Sequence, residues 1–473
     1  MGMKNNLKDI TDFIKDIELK YNLFEHEIDG IYFWKILRFQ VYTILTKKLG
    51  LYGDPHPSNN ISNLKKIIEV TKKEIDIYKY NALRSKEKKG ILVFQSPRKG
   101  NYNGKKTDIY TYFLRDAFNE LDFYDYEFLE VGTNNKEYYD SNSTKIALNS
   151  LYKMKVSSFF VKIRFGEQDK QLIERIKREI YESFNLEIDI LLMTKKNIHN
   201  FKQTYKYYCK LFDSWKPKKI ILICSYGQEP LIAAAQDKEI TVIELQHGIM
   251  TNYHLGYSFP VKKKIPYFPD KILIFGKYWK DSTAIPLKEK NINIMGYPYL
   301  STQLDKLKDT KKSQKTIAFI SQGTIAKELI HIAYEFARDN IDYKVKYKLH
   351  PSEYKLWREI YPELIQADGL ENFTIIDNNK RNLYQILAES EFQVGVYSTA
   401  IYEGIVLNCK TVLINFSGIE EMEFLIEKGV VMLAKNVEEL EDCIKNFKTI
   451  SYSTSDFFAD NVNRIEIITP LLN

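Results

Sequence analysis

The stretch KKIILICSYGQEPLIAAAQDKEITVIELQHG, residues 218–248, decides the fold class. It contains an apolar run at 218–225, a segment with apolar residues at helical spacing, and a second apolar run at 241–246. A helix between two such runs predicts two parallel strands joined by a right-handed crossover. Further strands are predicted at 270–276 and 292–296, so the unit continues as a doubly wound sheet.

The same alternation extends to both sides of this stretch. Before it, the apolar run at 91–96 predicts the first strand of the sheet. After the polar segment 301–314, which we interpret as an interdomain linker, the alternation restarts with strands predicted at 316–321, 343–349, 373–377, 392–396 and 411–416. We therefore expect an α/β protein with two Rossmann-like doubly wound domains, at 89–300 and 301–473.

Residues 1–88 lack this alternation and carry apolar residues at helical spacing. They predict an amino-terminal helical extension. Trp34, Arg38 and Tyr42 fall on one face of a predicted helix. That face would pack against the following domain, and the functional alternative is a contact with lipid or with an acceptor.

Composition restricts the classes of function open to the chain. Hydrophobic residues make up 44% and charged residues 28% of its 473 residues, which is typical of a soluble globular protein. Apolar runs stay well below the roughly 18 residues of a membrane span, and the amino terminus lacks the apolar core of a secretory signal. The four cysteines are scattered without a CxxC pair, which argues against a zinc site or a disulfide framework. We expect a cytoplasmic protein.

The net charge of +7 comes from lysines interspersed with acidic residues, which predicts a solvated surface. The alternative is attraction to an anionic partner, such as a phosphate-bearing substrate or the inner membrane surface. Peripheral membrane association therefore stays open. We do not interpret the abundant tyrosine and phenylalanine as a nucleic-acid stacking platform, so no nucleic-acid partner is expected.

Polar loops follow several predicted strands, where ligands of parallel sheets bind. One contains His247 and Gly248; a histidine titrates near neutral pH, and glycine allows close approach of a ligand. Another contains Lys348, His350 and Pro351. The proline holds His350 extended, which would aim its ring, and Lys348, at an anion in the cleft. A capping histidine and a strand-terminating turn are the purely structural alternatives.

Two more loops of this kind lie in the second domain. Ser398 and Thr399 precede a predicted helix, whose free backbone N–H groups suit a phosphate, with Glu403 one turn later within reach of a ribose. Ordinary capping and a helix-dipole contact are the alternatives. The loop after the first strand of this domain contains Ser321, Gln322 and Gly323. No pair or cluster of typical ligands predicts a metal site, and we expect no tightly bound cofactor.

The order of these loops resembles glycosyltransferases of the two-lobed GT-B fold, especially those that build bacterial capsules and other surface polysaccharides. The resemblance covers roughly residues 218–430 and is carried by Leu245-Gln246-His247-Gly248, Gly296-Tyr297-Pro298, Lys348-Leu349-His350-Pro351, and Tyr397-Ser398-Thr399 with Glu403. Bacterial sialyltransferases of this fold have a similar His-Pro motif and a later Ser/Thr motif. Teichoic-acid alditol-phosphate polymerases and transferases of Kdo-type sugars are similar in outline.

The resemblance implies roles for individual residues. His350, Ser398 and Thr399 would hold the donor phosphate, Glu403 the ribose, and His247 would be a base or a phosphate contact. Sialyltransferases of this type carry two adjacent acids and a glycine, whereas here Ile28 separates Glu27 from Asp29-Gly30. Glu229 is then a second candidate for the catalytic base.

The expected function is transfer of a sugar, sialic-acid- or Kdo-like and CMP-activated, from a nucleotide donor to a glycan or lipid-linked acceptor. Three alternatives stay open: an alditol-phosphate transferase with a CDP-linked donor, a nucleotide-sugar epimerase of the same shape, and a non-catalytic nucleotide-sugar-binding partner in a polysaccharide assembly complex.

Overall fold

The computed structural model describes residues 6–51, 63–85, 87–102, 105–131, 145–148, 162–460 and 462–472. Its amino-terminal part consists of three helices, α1 (Leu7–Lys20), α2 (Phe33–Lys48) and α3 (Asn63–Tyr80). Asn6 begins α1, since its side chain accepts the N–H of Asp9 at 2.8 Å. The helical extension predicted from the sequence is therefore present.

The first lobe contains a parallel seven-stranded sheet in the order β5-β4-β1-β6-β7-β8-β9. Each strand is a short apolar run, and the central ones are buried because helices cover both faces of the sheet. A separate antiparallel hairpin, β2 (Lys99–Tyr102) and β3 (Lys105–Asp108), follows β1. The strands of the sheet are β1 (Ile91–Gln95), β4 (Tyr126–Glu130), β5 (Lys145–Ile146), β6 (Lys219–Ile223), β7 (Thr241–Leu245), β8 (Lys271–Ile274) and β9 (Ile292–Ile294).

Helices of the first lobe connect these strands or pack on them. The longest, α6, begins at Asp189, whose carboxylate accepts the N–H of Leu192 at 2.9 Å. The alanine-rich α7 has Pro230 in its first turn, where a missing N–H costs nothing. The helices are α4 (Tyr112–Glu120), α5 (Glu167–Phe184), α6 (Ile190–Trp215), α7 (Glu229–Gln236), α8 (Lys277–Asp281) and α9 (Pro298–Leu307).

The second lobe contains a parallel six-stranded sheet in the order β12-β11-β10-β13-β14-β15, which is the Rossmann order. Its strands are β10 (Ser313–Ile320), β11 (Lys344–Lys348), β12 (Phe373–Ile376), β13 (Ser390–Gly395), β14 (Lys410–Ile414) and β15 (Met432–Ala434). Its helices are α10 (Ala326–Asp339), α11 (Trp357–Ile360), α12 (Pro362–Ala367), α13 (Leu383–Glu389), α14 (Thr399–Val406), α15 (Glu423–Glu427) and α16 (Val437–Lys445). The predicted fold class, two Rossmann-like domains with a helical extension, is confirmed.

The connection between the lobes is more ordered than its polar composition indicates. The segment 301–314 contains most of α9, and β10 already begins at Ser313. At the carboxyl end, α17 (Arg464–Leu472) returns to the first lobe, where Lys219 Nζ donates to the Leu471 carbonyl at 2.7 Å. The domain limits predicted from the sequence do not include this return. None of the helices that the structure describes is both long and apolar enough to cross a membrane.

Arg38 in α2 is the buried charge that joins the helical extension to the first lobe. Its Nε donates to Glu18 Oε1 at 2.7 Å, and its Nη2 donates to Glu18 Oε2 at 3.0 Å. The guanidinium also donates to the carbonyls of Leu255 and Ser258 and lies 4.2 Å from the ring centre of Phe259. These partners satisfy a charge that is only 1% exposed.

The rest of this helical face is also buried. Trp34 is completely inaccessible and donates its Nε1–H to Glu18 at 2.8 Å, and Tyr42 is buried with it. Lys35 forms a buried ion pair with Glu229 of α7, with 2.9 Å between Nζ and Oε1. The face of Trp34, Arg38 and Tyr42 therefore packs against protein, as the packing interpretation expects, and presents no lipid contact.

We expect Arg38→Ala to destabilise the protein by about 3–5 kcal/mol, because it leaves the Glu18 carboxylate buried without its counter-charge. Thermal or urea unfolding followed by circular dichroism measures the loss. Arg338→Ala is the matched control: Arg338 is exposed and pairs with the partly exposed Glu335 and the exposed Asp339, so the expected change is below about 1 kcal/mol. Equal stability of the two variants would contradict the role assigned to Arg38.

Candidate active site

The carboxyl ends of both sheets contribute to one cleft between the lobes. In each sheet the strand order reverses beside its first strand, between β1 and β6 in one lobe and between β10 and β13 in the other. Ligands of open parallel sheets bind outside such reversals. A Cβ atom placed on Gly248 would lie 3.5 Å from Thr399 Oγ1, so the loop after β7 touches the start of α14 in the opposite lobe.

His247 lies in this cleft with hydroxyl groups at both ring nitrogens. Its Nε2 is 3.2 Å from the hydroxyl of Tyr226, which follows β6, and its Nδ1 is 3.1 Å from the hydroxyl of Tyr257. Its carbonyl accepts the hydroxyl of Tyr110 at 2.7 Å. Burial lowers the pKa of His247 to about 3, with smaller effects from His254 and Arg98. The ring is therefore neutral at physiological pH.

Glu244 is a completely buried carboxylate on β7, three residues before His247. Its Oε1 accepts the Tyr257 hydroxyl at 2.6 Å and the N–H of Ser225 at 2.9 Å. Burial raises the pKa of Glu244, and its hydrogen bonds with Tyr257 and Ser225 oppose that effect. The carboxylate and the imidazole are thus linked through the hydroxyl of Tyr257.

Arg98 supplies a positive charge to the same part of the cleft. It follows β1, its side chain is open to solvent, and its Nη1 donates to Tyr110 at 2.8 Å. The pKa of Arg98 is raised mainly by Tyr110. Tyr297 and, from the second lobe, Glu403 raise it further. A solvent-accessible guanidinium beside His247 is suited to bind an anionic group of a ligand.

Ser398 and Thr399 lie where their sequence positions predict, at the amino end of the eight-residue helix α14. The Ser398 hydroxyl accepts the N–H of Ala400 at 3.2 Å, which is a normal cap. The Ile401 N–H donates to the Ser398 carbonyl at 3.1 Å, whereas the N–H of Thr399, the first residue of the helix, has no carbonyl within the helix to bond. This end faces Gly248 across the cleft, so it can meet a phosphate that is bound near His247.

Glu403 is buried rather than open to the cleft. Its carboxylate accepts the hydroxyl of Tyr384 at 2.9 Å, and burial raises its pKa while Arg98 opposes that rise. The structure therefore places Glu403 in an electrostatic contact between the lobes. Its predicted contact with a ribose stays a prediction.

The two remaining loops of the second lobe are tied together by Glu353, which is almost fully buried. One carboxylate oxygen accepts the N–H of His350 at 2.6 Å, and the other accepts the hydroxyls of Tyr361 at 2.9 Å and Ser321 at 3.3 Å. Pro351 follows in the turn, which leaves the side chain of His350 exposed to solvent. His350 and Ser321 therefore follow the neighbouring strands β11 and β10, at the carboxyl ends where the sequence predicts their loops.

Lys348 does not point its ammonium group at an open cleft. It is buried, and its Nζ donates to the hydroxyl of Tyr354 and, at 3.1 Å, to the carbonyl of Asn378. Burial lowers its pKa to about 8. Gln322 and Gly323 lie partly buried in the loop after β10, next to Thr324, whose hydroxyl contacts that of Tyr397 at 2.8 Å.

Neither alternative base is free in the structure. Glu229 is held in the buried ion pair with Lys35 described above. Asp29, from the segment that resembles the paired acids of sialyltransferases, pairs with Lys202 at 2.6 Å on the helical side of the lobe. His247 is consequently the base candidate that the geometry favours, because it combines a neutral ring with a position in the cleft.

Two observations concern ligands outside the cleft. A cavity of about 580 Å³ lies at the opposite edge of the first sheet, beside Thr241 where β7 begins. Among its charged residues, Lys264 pairs with Asp270, and Asp237 accepts the hydroxyl of Tyr205. Within the described ranges, no group of three histidine, cysteine or acidic side chains could hold a metal ion.

Four residues of the cleft escape the sequence patterns: Arg98, Tyr226, Glu244 and Tyr257. Arg98 and Tyr226 come shortly after β1 and β6, so the strand-end rule that selects His247 could also have selected them. Glu244 is an acid inside the apolar run TVIEL, which is a signal in itself. No feature of the neighbouring sequence distinguishes Tyr257 from the other 33 tyrosines of the chain.

Comparisons with known proteins identify the fold. The sequence matches no protein-family model and no curated protein. The UDP-GlcNAc 2-epimerase of Methanocaldococcus jannaschii superimposes with a TM-score of 0.51 at 10% identity, over 81% of this chain and 98% of its own. The glycosyltransferase SnogD of Streptomyces nogalater superimposes with a TM-score of 0.43 at 10% identity, over 80% of this chain and 94% of its own. The wall teichoic acid polymerase TagF superimposes with a TM-score of 0.42 at 13% identity, over 81% of this chain and 88% of its own. At such identities, the epimerase comparison establishes the two-lobed GT-B fold alone.

The lobes also meet at a second place, through acids that follow β14. Thr251, shortly after His247, donates its hydroxyl to the buried carboxylate of Glu421, and Tyr253 donates to Glu423. Burial raises the pKa of Glu421 to about 7. The ordinary pKa of this carboxyl group is 4.5. Between pH 4.5 and about 7, Glu421 therefore keeps its proton in the folded protein, whereas it has released that proton in the unfolded chain.

We therefore expect the stability of the protein to fall as pH rises from about 4.5 to about 7, the window set by the raised pKa of Glu421. Glu421→Gln should flatten this dependence, because an amide does not titrate. Melting temperatures measured across this window check the slope, with the exposed Glu438→Gln as the control that should match wild type. A slope that Glu421→Gln leaves unchanged would contradict the assignment.

Proposed function

We propose that the protein is a glycosyltransferase that moves a sugar from a nucleotide donor to a glycan or lipid-linked acceptor in bacterial surface polysaccharide synthesis. The observation that carries the proposal is the contact of the His247-Gly248 loop with the start of α14 at Thr399. One lobe supplies a neutral imidazole, and the other supplies the end of a helix suited to phosphate. A donor phosphate and a reacting hydroxyl can thus meet between them.

In the proposed reaction, an acceptor hydroxyl attacks the anomeric carbon while His247 accepts its proton. The bond between that carbon and the donor phosphate breaks, and its electron pair leaves with the nucleotide. Ser398, Thr399 and the amino end of α14 stabilise the departing phosphate, together with His350 at the carboxyl end of β11 in the same lobe. Arg98 supports the proposal as a cation next to His247.

For the donor we propose a CMP-activated, sialic-acid- or Kdo-like sugar, on the resemblance of the His-Pro and Ser-Thr loops described above. A lipid-linked acceptor would bring the protein to the inner face of the membrane, and the reaction would need neither a metal ion nor a bound cofactor. The nearest alternative is a CDP-alditol phosphotransferase, in which the hydroxyl attacks phosphorus; its product contains a new phosphodiester, which mass spectrometry would detect.

Two further alternatives make different predictions. An epimerase, the class of the structural neighbour from Methanocaldococcus jannaschii, would change a UDP-sugar in the absence of any acceptor. A non-catalytic partner in a polysaccharide assembly complex would bind the donor without turnover. Incubation of the protein with each donor alone, and then with acceptor glycans, separates these possibilities.

The first experiment is a thermal-shift panel of CMP, CDP, UDP and GDP, with and without magnesium. A nucleotide present at about 100 times its dissociation constant should stabilise the protein by about 2.7 kcal/mol. We expect the largest shift with CMP, independent of magnesium. His350→Ala and Thr399→Val should reduce it, because each removes a proposed phosphate contact.

The control for these variants is His331→Ala, which removes an exposed histidine that pairs with Glu363 on the outside of the second lobe. This variant should retain the full nucleotide shift. A preference for CDP would favour the phosphotransferase, and a preference for UDP the epimerase or a hexose transferase. No shift with any nucleotide would overturn the proposed donor site.

A further inference from the structure

Glu244 is a buried charge that the reaction proposed above does not use. It is completely inaccessible, and it lies in the middle of the first sheet on β7. Keeping an ionisable group in such a place costs several kcal/mol unless its partners compensate. Its partners are the Ser225 N–H and the hydroxyl of Tyr257, and Lys35 also favours its charged form. This network connects Glu244 to His247 through the hydroxyl of Tyr257.

The hydroxyl of Tyr257 determines which ring nitrogen of His247 carries the proton. A tyrosine hydroxyl has one proton to donate and can accept others. Tyr257 donates its proton to Glu244 at 2.6 Å, so its oxygen faces His247 Nδ1, 3.1 Å away, as an acceptor. Nδ1 must then carry a proton. In a neutral imidazole the other nitrogen, Nε2, is left as a proton acceptor.

Nε2 faces the hydroxyl of Tyr226 at 3.2 Å. The position of Tyr226 is restricted by its surroundings. Its ring packs between Phe39 and His254, with centroids 4.7 and 5.2 Å away. A Cβ atom on Gly256 would come within 2.5 Å of the Tyr226 ring, so only glycine allows this approach.

We infer that Glu244 and Tyr257 are positioning residues that hold His247 in the tautomer with the proton on Nδ1, and so make Nε2 the proton acceptor. The inference rests on the proposed function. The acceptor hydroxyl gives its proton to the hydroxyl of Tyr226, which at the same time passes its own proton to Nε2. The acceptor oxygen bonds to the anomeric carbon, and the bond from that carbon to the phosphate oxygen breaks. The resulting imidazolium keeps its Nδ1–H on Tyr257, with the negative charge of Glu244 behind it.

The opposite arrangement of these protons would leave Nε2 of His247 unable to accept a proton. If Glu244 held a proton and donated it to Tyr257, that tyrosine would donate to Nδ1, and His247 would carry its proton on Nε2. Such a histidine could not accept a proton from the cleft. The two arrangements therefore differ in which ring nitrogen of His247 carries the proton, and this difference can be observed.

The test is nitrogen-15 NMR of the full-length protein labelled at histidine, near neutral pH and without any ligand. His247→Gln assigns the signals of His247 among those of the seven histidines. We expect a protonated Nδ1 and an unprotonated Nε2 in the wild type. In Tyr257→Phe, Nδ1 loses its acceptor, and the proton should move to Nε2, where Tyr226 can accept it.

Glu244→Gln should give a mixture of the two tautomers, because a neutral amide no longer requires the Tyr257 proton. Tyr207→Phe removes a buried hydroxyl far from the cleft that contacts Asn81, and it should leave the His247 signals unchanged. A wild-type His247 protonated on Nε2, or signals that Tyr257→Phe does not alter, would overturn the inference.

The same spectra do not depend on a nucleotide or an acceptor. A failed nucleotide panel with the predicted tautomer present would therefore count against the proposed function alone. A nucleotide shift with the opposite tautomer would count against the roles of Glu244 and Tyr257 alone.

Discussion

The buried guanidinium of Arg38 is the interaction on which the arrangement of the cleft depends. It is removed from water, so it must be paired and hydrogen-bonded at once, and its partners come from separate parts of the chain. Glu18 belongs to α1, whereas the Leu255 and Ser258 carbonyls belong to the segment that follows His247. Satisfying one charge therefore fixes two helices against the loop that surrounds the candidate base.

This constraint explains why a helical extension is part of the site. The segment fixed by Arg38 includes Tyr257, which contacts the imidazole of His247, and His254, whose ring stacks on Phe39 of α2. Without the extension, these rings would lose the surface that holds them in place. The helices thus contribute to the candidate site through packing.

The cleft itself combines buried acids with partly accessible bases from both lobes. Glu403 and Glu421 are both buried, and burial raises the pKa of each. Glu421 accepts the hydroxyl of Thr251 from the opposite lobe. A fold alone does not determine a function, so the function has to be argued from these side chains.

The sequence by itself determined the alternation of strands and helices, and with it the fold class, because hydrophobic periodicity and turn residues act locally. It also placed His247, Ser398 and Thr399 at the edges of the sheets, since carboxyl ends of parallel strands meet there. Only the tertiary structure decided that Glu229 and Lys348 are occupied by protein partners, and that Glu244 reaches His247 through Tyr257. Those contacts join residues distant along the chain or set by the packing of loops, and no local pattern encodes them.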